Sequence, residues 1–261
     1  MLIGFIGAGN MAAALAGAIA SAEPEATFTA FDINREQLER FGTTLSGFTA
    51  SDGNAAVLAS SDLTFLCVKP QVMDDVVRDL SNDERLVVSI AAGVRISRLE
   101  AALPAARVVR VMPNTPGLVG EMAAGYAGGS RATAGDLELV GRLLSAAGVA
   151  VELPEELLDA VTGVSGSGPA FVARMIEALC AAGVAEGLPE ETARRLVLAT
   201  FSGTARLLAE KNLTPDELVT MVSSPGGTTV AGRRVLETAG LDRTLRRTVA
   251  AAVERSRELG S

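Results

Sequence analysis

Two glycine-rich stretches hold the residues whose types and spacing can do chemistry. The first is Gly7-Ala8-Gly9-Asn10-Met11-Ala12, a G-x-G-x-x-A pattern between a short apolar run, Leu2–Ile6, and an Ala-rich helical segment. In a strand–turn–helix context Gly7 permits a tight turn, Gly9 lets the backbone approach a pyrophosphate, and Ala12 lets the helix pack closely on the strand. The amides of the helix's first turn then face the phosphates, and the helix dipole adds to the attraction. The second stretch is Ser223-Ser224-Pro225-Gly226-Gly227-Thr228-Thr229, again ahead of a helical segment, Val230–Ala239. Its open amides and clustered hydroxyls make a nest suited to a carboxylate; a plain helix start is the structural alternative. Histidine is absent, which excludes imidazole-based zinc sites, Ser-His-Asp triads and histidine-based dehydrogenase chemistry. Cys67 and Cys180 read as small core residues rather than a disulfide or a metal pair, and no metal site is expected.

These turns need elements to hold them. Thr27–Phe31 alternates and is β-rich, closing with Asp32 ahead of a helix over Arg35–Phe41. Asp32 stands about 25 residues after Gly7, where a dinucleotide fold places the group that meets the adenosine ribose. An acid there favours a free 2′-hydroxyl, whereas Arg35 can pair with a 2′-phosphate, so the choice between NAD and NADP stays open; Asp32 as a helix cap is the other reading. After a helix over Asp52–Ser60, the buried run Leu63–Val68 stops at Lys69-Pro70, and Leu86–Ile90 ends in Ala91-Ala92-Gly93. Ligands of an open α/β sheet sit beyond the carboxyl ends of its strands, and small residues there leave room for a nicotinamide ring. A helix near Ile96–Leu103 leads to the strand Arg107–Met112, which runs into Pro113-Asn114-Thr115-Pro116. That stiff turn carries an Asn and a Thr able to hydrogen-bond a ligand, or serves structure alone. A final strand–helix–strand passage through Asp136–Ala147 to Val149–Leu153 completes an α/β domain over residues 1–154.

Beyond Glu155 only helical patterns remain, over residues 155–261. Pro169 sits in the first turn of Ala170–Glu186, a segment apolar on nearly every side and expected to be buried on every side. Pro189 begins another helix that runs to Lys211 with little polar surface in its second half. A domain of roughly 100 residues cannot bury both alone, so a partner subunit is expected. Thr214-Pro215-Asp216-Glu217 is a capping-box start, and Leu241–Leu259 is the last helix. The chain has 261 residues, 48% of them hydrophobic, and a net charge of -8. That charge argues against nucleic acid or an anionic membrane as partner, so an anionic ligand must be held by local groups. No run of about 18 apolar residues reads as a spanning helix and no secretion signal is evident, so a cytoplasmic location is expected.

With these stretches in view, the chain resembles the pyrroline-5-carboxylate reductases from end to end. The resemblance rests on FIGAGNM at Phe5–Met11, VKPQ at Val68–Gln71, SIAAGV at Ser89–Val94, MPNTP at Met112–Pro116, VTGVSGSGPAF at Val161–Phe171, and SSPGGTT with VLE at Ser223–Thr229 and Val235–Glu237. It implies an N-terminal Rossmann domain and a helical C-terminal domain that interleaves with its mate in a homodimer, often assembled further into a decamer. It also implies reduction of the C=N bond of 1-pyrroline-5-carboxylate to L-proline with hydride from NADPH or NADH. By similarity the cofactor lies along Gly7–Met11, with Asn54 near the adenosine and Val68, Lys69, Pro70, Ala91, Ala92, Gly93 and Asn114 toward the nicotinamide. The substrate carboxylate is implied on Ser224, Gly227 and Thr228, with the Thr229 hydroxyl facing the ring nitrogen as the catalytic contact. Many members carry a neutral residue where Asp32 stands and generally prefer NADPH. A two-domain hydroxyacid dehydrogenase is the rival reading, but the segment near Ser165–Pro169 offers no Lys before Lys211. A reductase of other cyclic imines is a second rival, and a non-catalytic cofactor-binding regulator a third, against which the intact hydroxyl cluster at Ser223–Thr229 weighs.

Overall fold

The computed structural model describes every residue except Asn82 and Ser261. In chain order the elements are β1 (Leu2–Ile6), α1 (Asn10–Ala22), β2 (Thr27–Phe31), α2 (Arg35–Thr43), β3 (Phe48–Ala50), α3 (Asn54–Ser60), β4 (Leu63–Leu66), α4 (Met73–Arg78), β5 (Leu86–Ser89), α5 (Ile96–Ala102), β6 (Arg107–Met112), β7 (Met122–Gly128), α6 (Ala134–Ser145) and β8 (Gly148–Glu152). Helices follow: α7 (Leu158–Val161), α8 (Gly168–Ala185), α9 (Glu190–Glu210), α10 (Pro215–Met221), α11 (Thr228–Ala239) and α12 (Leu241–Leu259). The strands form an 8-stranded sheet ordered β3-β2-β1-β4-β5-β6-β7-β8. Every neighbouring pair is parallel except β6 with β7. β4 and β5 are buried along their whole length, as expected of parallel strands covered by helices on both faces. The strand order changes direction at β1, so the carboxyl ends of β1 and β4 flank the crevice where such sheets bind ligands.

Helix α1 shows why the first turn is held so firmly. Ala12, Leu15, Ala16 and Ile19 recur at helical spacing and are fully buried against the sheet. Beneath them Phe5 packs on Phe41 and Phe65, with ring centroids 5.3 and 5.1 Å apart. Gly7 has φ +94, and a methyl there would stand 2.7 Å from the Cys67 carbonyl oxygen, so only glycine fits between β1 and the end of β4. Two elements were not legible beforehand. β3 is three residues long, too short for an alternation to register, and α4 follows a 3-10 turn at Pro70–Val72 that reads locally as a loop.

By compactness the chain forms one unit of Met1–Pro169 with Ala250–Ser261, and a second of Ala170–Val249. This division falls later than the change from strands to helices at 154, because the residues just beyond that point pack on the sheet. Leu158 is fully buried, and Glu155 accepts hydrogen bonds from Arg110 Nη1 at 2.9 Å and from the Ile96 amide at 2.8 Å. In the second unit α10 begins with the expected capping box, Thr214 with Glu217. No residue of α8 is buried in the single chain, so the expected burial on every side is not met within it. The expectation about spanning helices also needs correction. Within the 31-residue helical run Glu155–Ala185 an 18-residue window reaches a mean hydropathy of 1.4, long and apolar enough to cross a membrane by length and composition alone. Gly168–Ala185 carries only two charged residues, Arg174 and Glu177, paired with each other one turn apart, too few to break the apolar window.

Arg110 is 1% exposed in β6, and Glu155 is its ion-pair partner. Glu155 is only part-buried, but removing it leaves the buried Arg110 guanidinium uncompensated and the Ile96 amide without its acceptor, so Glu155→Ala should destabilise the protein by about 3 kcal/mol, the low end for a buried pair. The double change Arg110→Met with Glu155→Leu should cost much less, as urea unfolding at one fixed protein concentration will measure.

Candidate active site

One candidate binding turn is built at the carboxyl ends of β1, β2 and β4. Gly7 donates its amide to the Phe31 carbonyl at 2.9 Å, tying the turn to β2. Gly9 is the N-cap of α1 with no side-chain cap and no acidic residue in the first turn, so the helix's leading amides are left for an incoming anion. A methyl on Gly9 would find its nearest neighbour, Gln37 Oε1, 4.0 Å away. The space above Gly9 is therefore open while the space around Gly7 is closed, the division of labour a pyrophosphate turn requires. Asn10 is exposed and Met11 packs partly on the core. Beside this turn lies a cleft of about 280 Å³ whose lining includes Gly7, Asp32, Asn54 and Val68, so residues far apart in sequence meet there.

Asp32 does not cap the next helix; Asn34 does, its side chain accepting from the Gln37 amide at 3.2 Å. The Asp32 carboxylate instead accepts from the Ala8 amide at 2.7 Å through Oδ2 and from the Asn34 amide at 2.8 Å through Oδ1. It is thus fixed at the mouth of the cleft by the same turn it faces. Arg35 is exposed and outside that lining. The lining also includes Val72, Asp75, Val76 and Asp79, on or beside α4, which sequence reasoning missed. The signal that could have found them is Pro70 ahead of the acidic pair Asp74 and Asp75, a helix-start composition. Cys67 stands directly below Gly7, where burial pushes its thiol pKa up and keeps it unreactive.

Further along the sheet edge, Lys69 precedes the Pro70 turn and is exposed, while Ala91 and Gly93 are buried and Ala92 is partly so. Asn114 is committed to structure as well. Its Oδ1 accepts from the Ala123 amide at 2.8 Å and its Nδ2 donates to the Ser165 carbonyl at 3.1 Å, locking the Pro113–Pro116 turn to β7 and to the π-helical turn Thr162–Gly166. Thr115 is exposed.

A separate glycine-rich turn lies in the helical unit. Gly226 has φ +71, and Gly227 is the N-cap of α11, again with no side-chain cap. A methyl on Gly227 would stand 2.5 Å from Ser224 Oγ, so a side chain there would evict the hydroxyl. The Gly227 amide donates to the Ser224 carbonyl at 2.9 Å, closing the turn. Thr228 and Thr229 form the exposed first turn of α11, and Ser223 Oγ is buried with no partner of its own. Two glycines, four hydroxyls and an uncapped helix start make a compact set of donors of the kind that suits one carboxylate. Among the described residues no group of three or more His, Cys, Asp or Glu stands close enough to hold a metal ion.

Residues 155–259 match the family profile described as pyrroline-5-carboxylate reductase dimerisation, and residues 2–93 match one described as NADP oxidoreductase coenzyme F420-dependent. A pyrroline-5-carboxylate reductase of Methanosarcina acetivorans is 44% identical over 265 residues, which span 99% of this chain and 97% of that one. The chain belongs to the pyrroline-5-carboxylate reductase family. A solved member from Coxiella burnetii superposes with a TM-score of 0.91 at 33% identity, covering 99% of this chain and 98% of that one. A Plasmodium falciparum member, solved with NADP bound, superposes at 0.87 with 30% identity over 100% and 98% of the two chains. Membership makes this an oxidoreductase that uses a nicotinamide cofactor and a small-molecule substrate, and its helical part belongs to the family's assembly region.

The open space at Gly9 separates binding from folding. Gly9→Val should leave the melting temperature nearly unchanged while raising the cofactor dissociation constant at least about tenfold, because the added carbons occupy the phosphate approach. Fluorescence titration beside a thermal melt measures both.

Proposed function

We propose that this chain reduces 1-pyrroline-5-carboxylate to L-proline, taking hydride from NADPH or NADH, as the last step of proline biosynthesis. The observation that carries the reading is the Ser223–Thr229 turn, where Gly227 is pressed against Ser224 Oγ at the uncapped start of α11. Such a turn suits a small carboxylate, and the acidic chain as a whole would not attract one. The reduced nicotinamide, held along Gly7–Met11, Asn54, Val68–Pro70 and Ala91–Gly93 with Asn114 bracing its end, supplies the hydride. The chain's own residues bind and orient. Ser224, Gly227 and Thr228 hold the carboxylate and so choose the ring face, and the Thr229 hydroxyl bonds the imine nitrogen. A protonated cyclic imine accepts hydride without a strong general acid, so placement at near-attack distance is the main task of the protein.

The exposed apolar helices support a homodimer. α8 and α9 border an open groove of about 660 Å³ lined by Ile176, Cys180, Val184 and Leu198 among others, and a second copy of the chain is its proposed cover. On the same reading residues 155–261 form the dimerisation and substrate domain and residues 1–154 the Rossmann domain, the dimer assembles further to a decamer, and the enzyme works in the cytoplasm.

Replacing the Thr229 hydroxyl in Thr229→Val keeps the shape but strands the imine nitrogen. A lost hydrogen bond to a charged group should lower kcat/KM by roughly ten- to a hundredfold with cofactor affinity unchanged. Ser224→Ala should raise KM for the imine more than it lowers kcat, because the carboxylate contact is present in ground and transition states alike. Full activity in Thr229→Val with loss in Thr115→Val would move the substrate to the Pro113–Pro116 turn.

Asp32 governs cofactor choice on this reading, since its carboxylate is pinned by Ala8 and Asn34 and Arg35 stands outside the cleft lining. A fixed negative charge disfavours a 2′-phosphate. Asp32→Ser should therefore shift the ratio of specificity constants toward NADPH by roughly tenfold, and steady-state rates with each cofactor give that ratio.

A further inference from the structure

The last turn of α12 ends on the turn that closes β5. A methyl on Gly93, which has φ +76, would stand 3.2 Å from Leu259 Cβ and 3.3 Å from the Leu259 carbonyl oxygen. From the other side, a methyl on Gly260 would stand 2.9 Å from the Gly93 carbonyl oxygen and 3.3 Å from Arg95 Nε. Two glycines thus allow two stretches of backbone to touch, each occupying the space a side chain of the other would need. Both stretches belong to the same compact unit.

A polar clamp secures this contact. Ser256 is 4% exposed and donates Oγ–H to Asp159 Oδ1 at 2.7 Å, across 97 residues of sequence. Asp159, itself 3% exposed, accepts from Arg95 Nη2 at 3.0 Å through its other oxygen. Arg95 lies two residues beyond Gly93 and is the N-cap of α5. The clamp therefore holds the end of α12 and the start of α5 to one buried carboxylate, with the Ala91–Gly93 turn enclosed between them.

We propose that Ser256, Asp159 and Arg95 are positioning residues for the cofactor: through Leu259 and Gly260 they set the Ala91-Ala92-Gly93 turn against the nicotinamide ring. This rests on the reading that the turn faces the nicotinamide. Among the described residues, Leu259 and Gly260 meet Gly93, while the atoms nearest a methyl on Gly7 or Gly9 belong to Cys67, Val68 and Gln37, so the influence falls on the nicotinamide end of the cofactor and spares the adenosine and pyrophosphate.

That asymmetry is measurable in the whole enzyme by comparing NADPH and NADH with 2′-phospho-ADP-ribose and ADP-ribose, which lack the nicotinamide. Ser256→Ala should weaken the complete cofactors by about two- to tenfold, the range of one net hydrogen bond, and leave the truncated ligands unchanged. A chain ending at Glu258 should behave alike without disturbing the buried hydroxyl, which covers the case in which Ser256→Ala fails to fold. Ala92→Leu, which fills the turn itself, tests the underlying reading. If Ala92→Leu discriminates between the ligand pairs while the two tail variants do not, the positioning role is overturned and the nicotinamide reading stands. If none of the variants discriminates, both are overturned. A fall in melting temperature with equal loss for complete and truncated ligands would mark the clamp as structural only and overturn the proposal as well.

Discussion

The backbone contact at Gly7 is the constraint on which the rest of the molecule depends. With φ +94 and the Cys67 carbonyl within contact distance of any added carbon, Gly7 lets the end of β1 fold over the end of β4. Its amide holds β2 through Phe31, and the next amide, on Ala8, holds Asp32. Three strand ends are thereby fixed to one turn, and α1 must leave that turn with its apolar stripe of Ala12, Leu15, Ala16 and Ile19 on the sheet. The open side of the turn, above Gly9, is what remains for a ligand. Close packing on one side and free space on the other come from the same few residues.

The second unit repeats this device with different parts. At Gly227 the close neighbour is a hydroxyl, Ser224 Oγ, rather than a backbone carbonyl, and the helix that follows is again left without a side-chain cap. Side-chain caps close α2, α6 and α10, while α3, α5 and α9 also begin without one. With glycine at both N-caps, the uncapped starts of α1 and α11 forgo only about a few tenths of a kcal/mol each relative to a side-chain cap and leave their leading amides without a side-chain partner. On the proposed function, the first turn would take a diphosphate and the second a carboxylate, the two groups such a reductase must hold.

The polar residues near the sheet's edge divide between ligand and framework. Asn114 looks, as a residue type in a Pro-flanked turn, like a ligand contact; its amide nevertheless joins β7 to the π-helical turn through Ala123 and Ser165. Asp32 has the place of a ribose-binding acid and also holds the glycine turn, so its charge is anchored rather than swinging free. Arg110, buried in β6, serves the chain after the last strand by pairing with Glu155.

What the sequence by itself determined is local. The strand–turn–helix of Leu2–Ala22 follows from an apolar run, two glycines and an alanine-rich stripe, and the bounds of β2, β6 and α12 match their apolar patterns residue for residue. Glycine positions, helix starts and the family's motifs are likewise properties of short segments, so the fold class and both glycine-rich turns were legible. Tertiary structure alone decided the reversed direction of β7, the cleft wall contributed by α4, the partners of Asp32 and Asn114, and the seating of Gly260 on Gly93. Each depends on groups brought together from distant segments, as Ser256 and Asp159 are across 97 residues. A sequence specifies which side chains can donate, accept or pack, but which distant partner each one meets is set by the packing of the whole sheet and its helices.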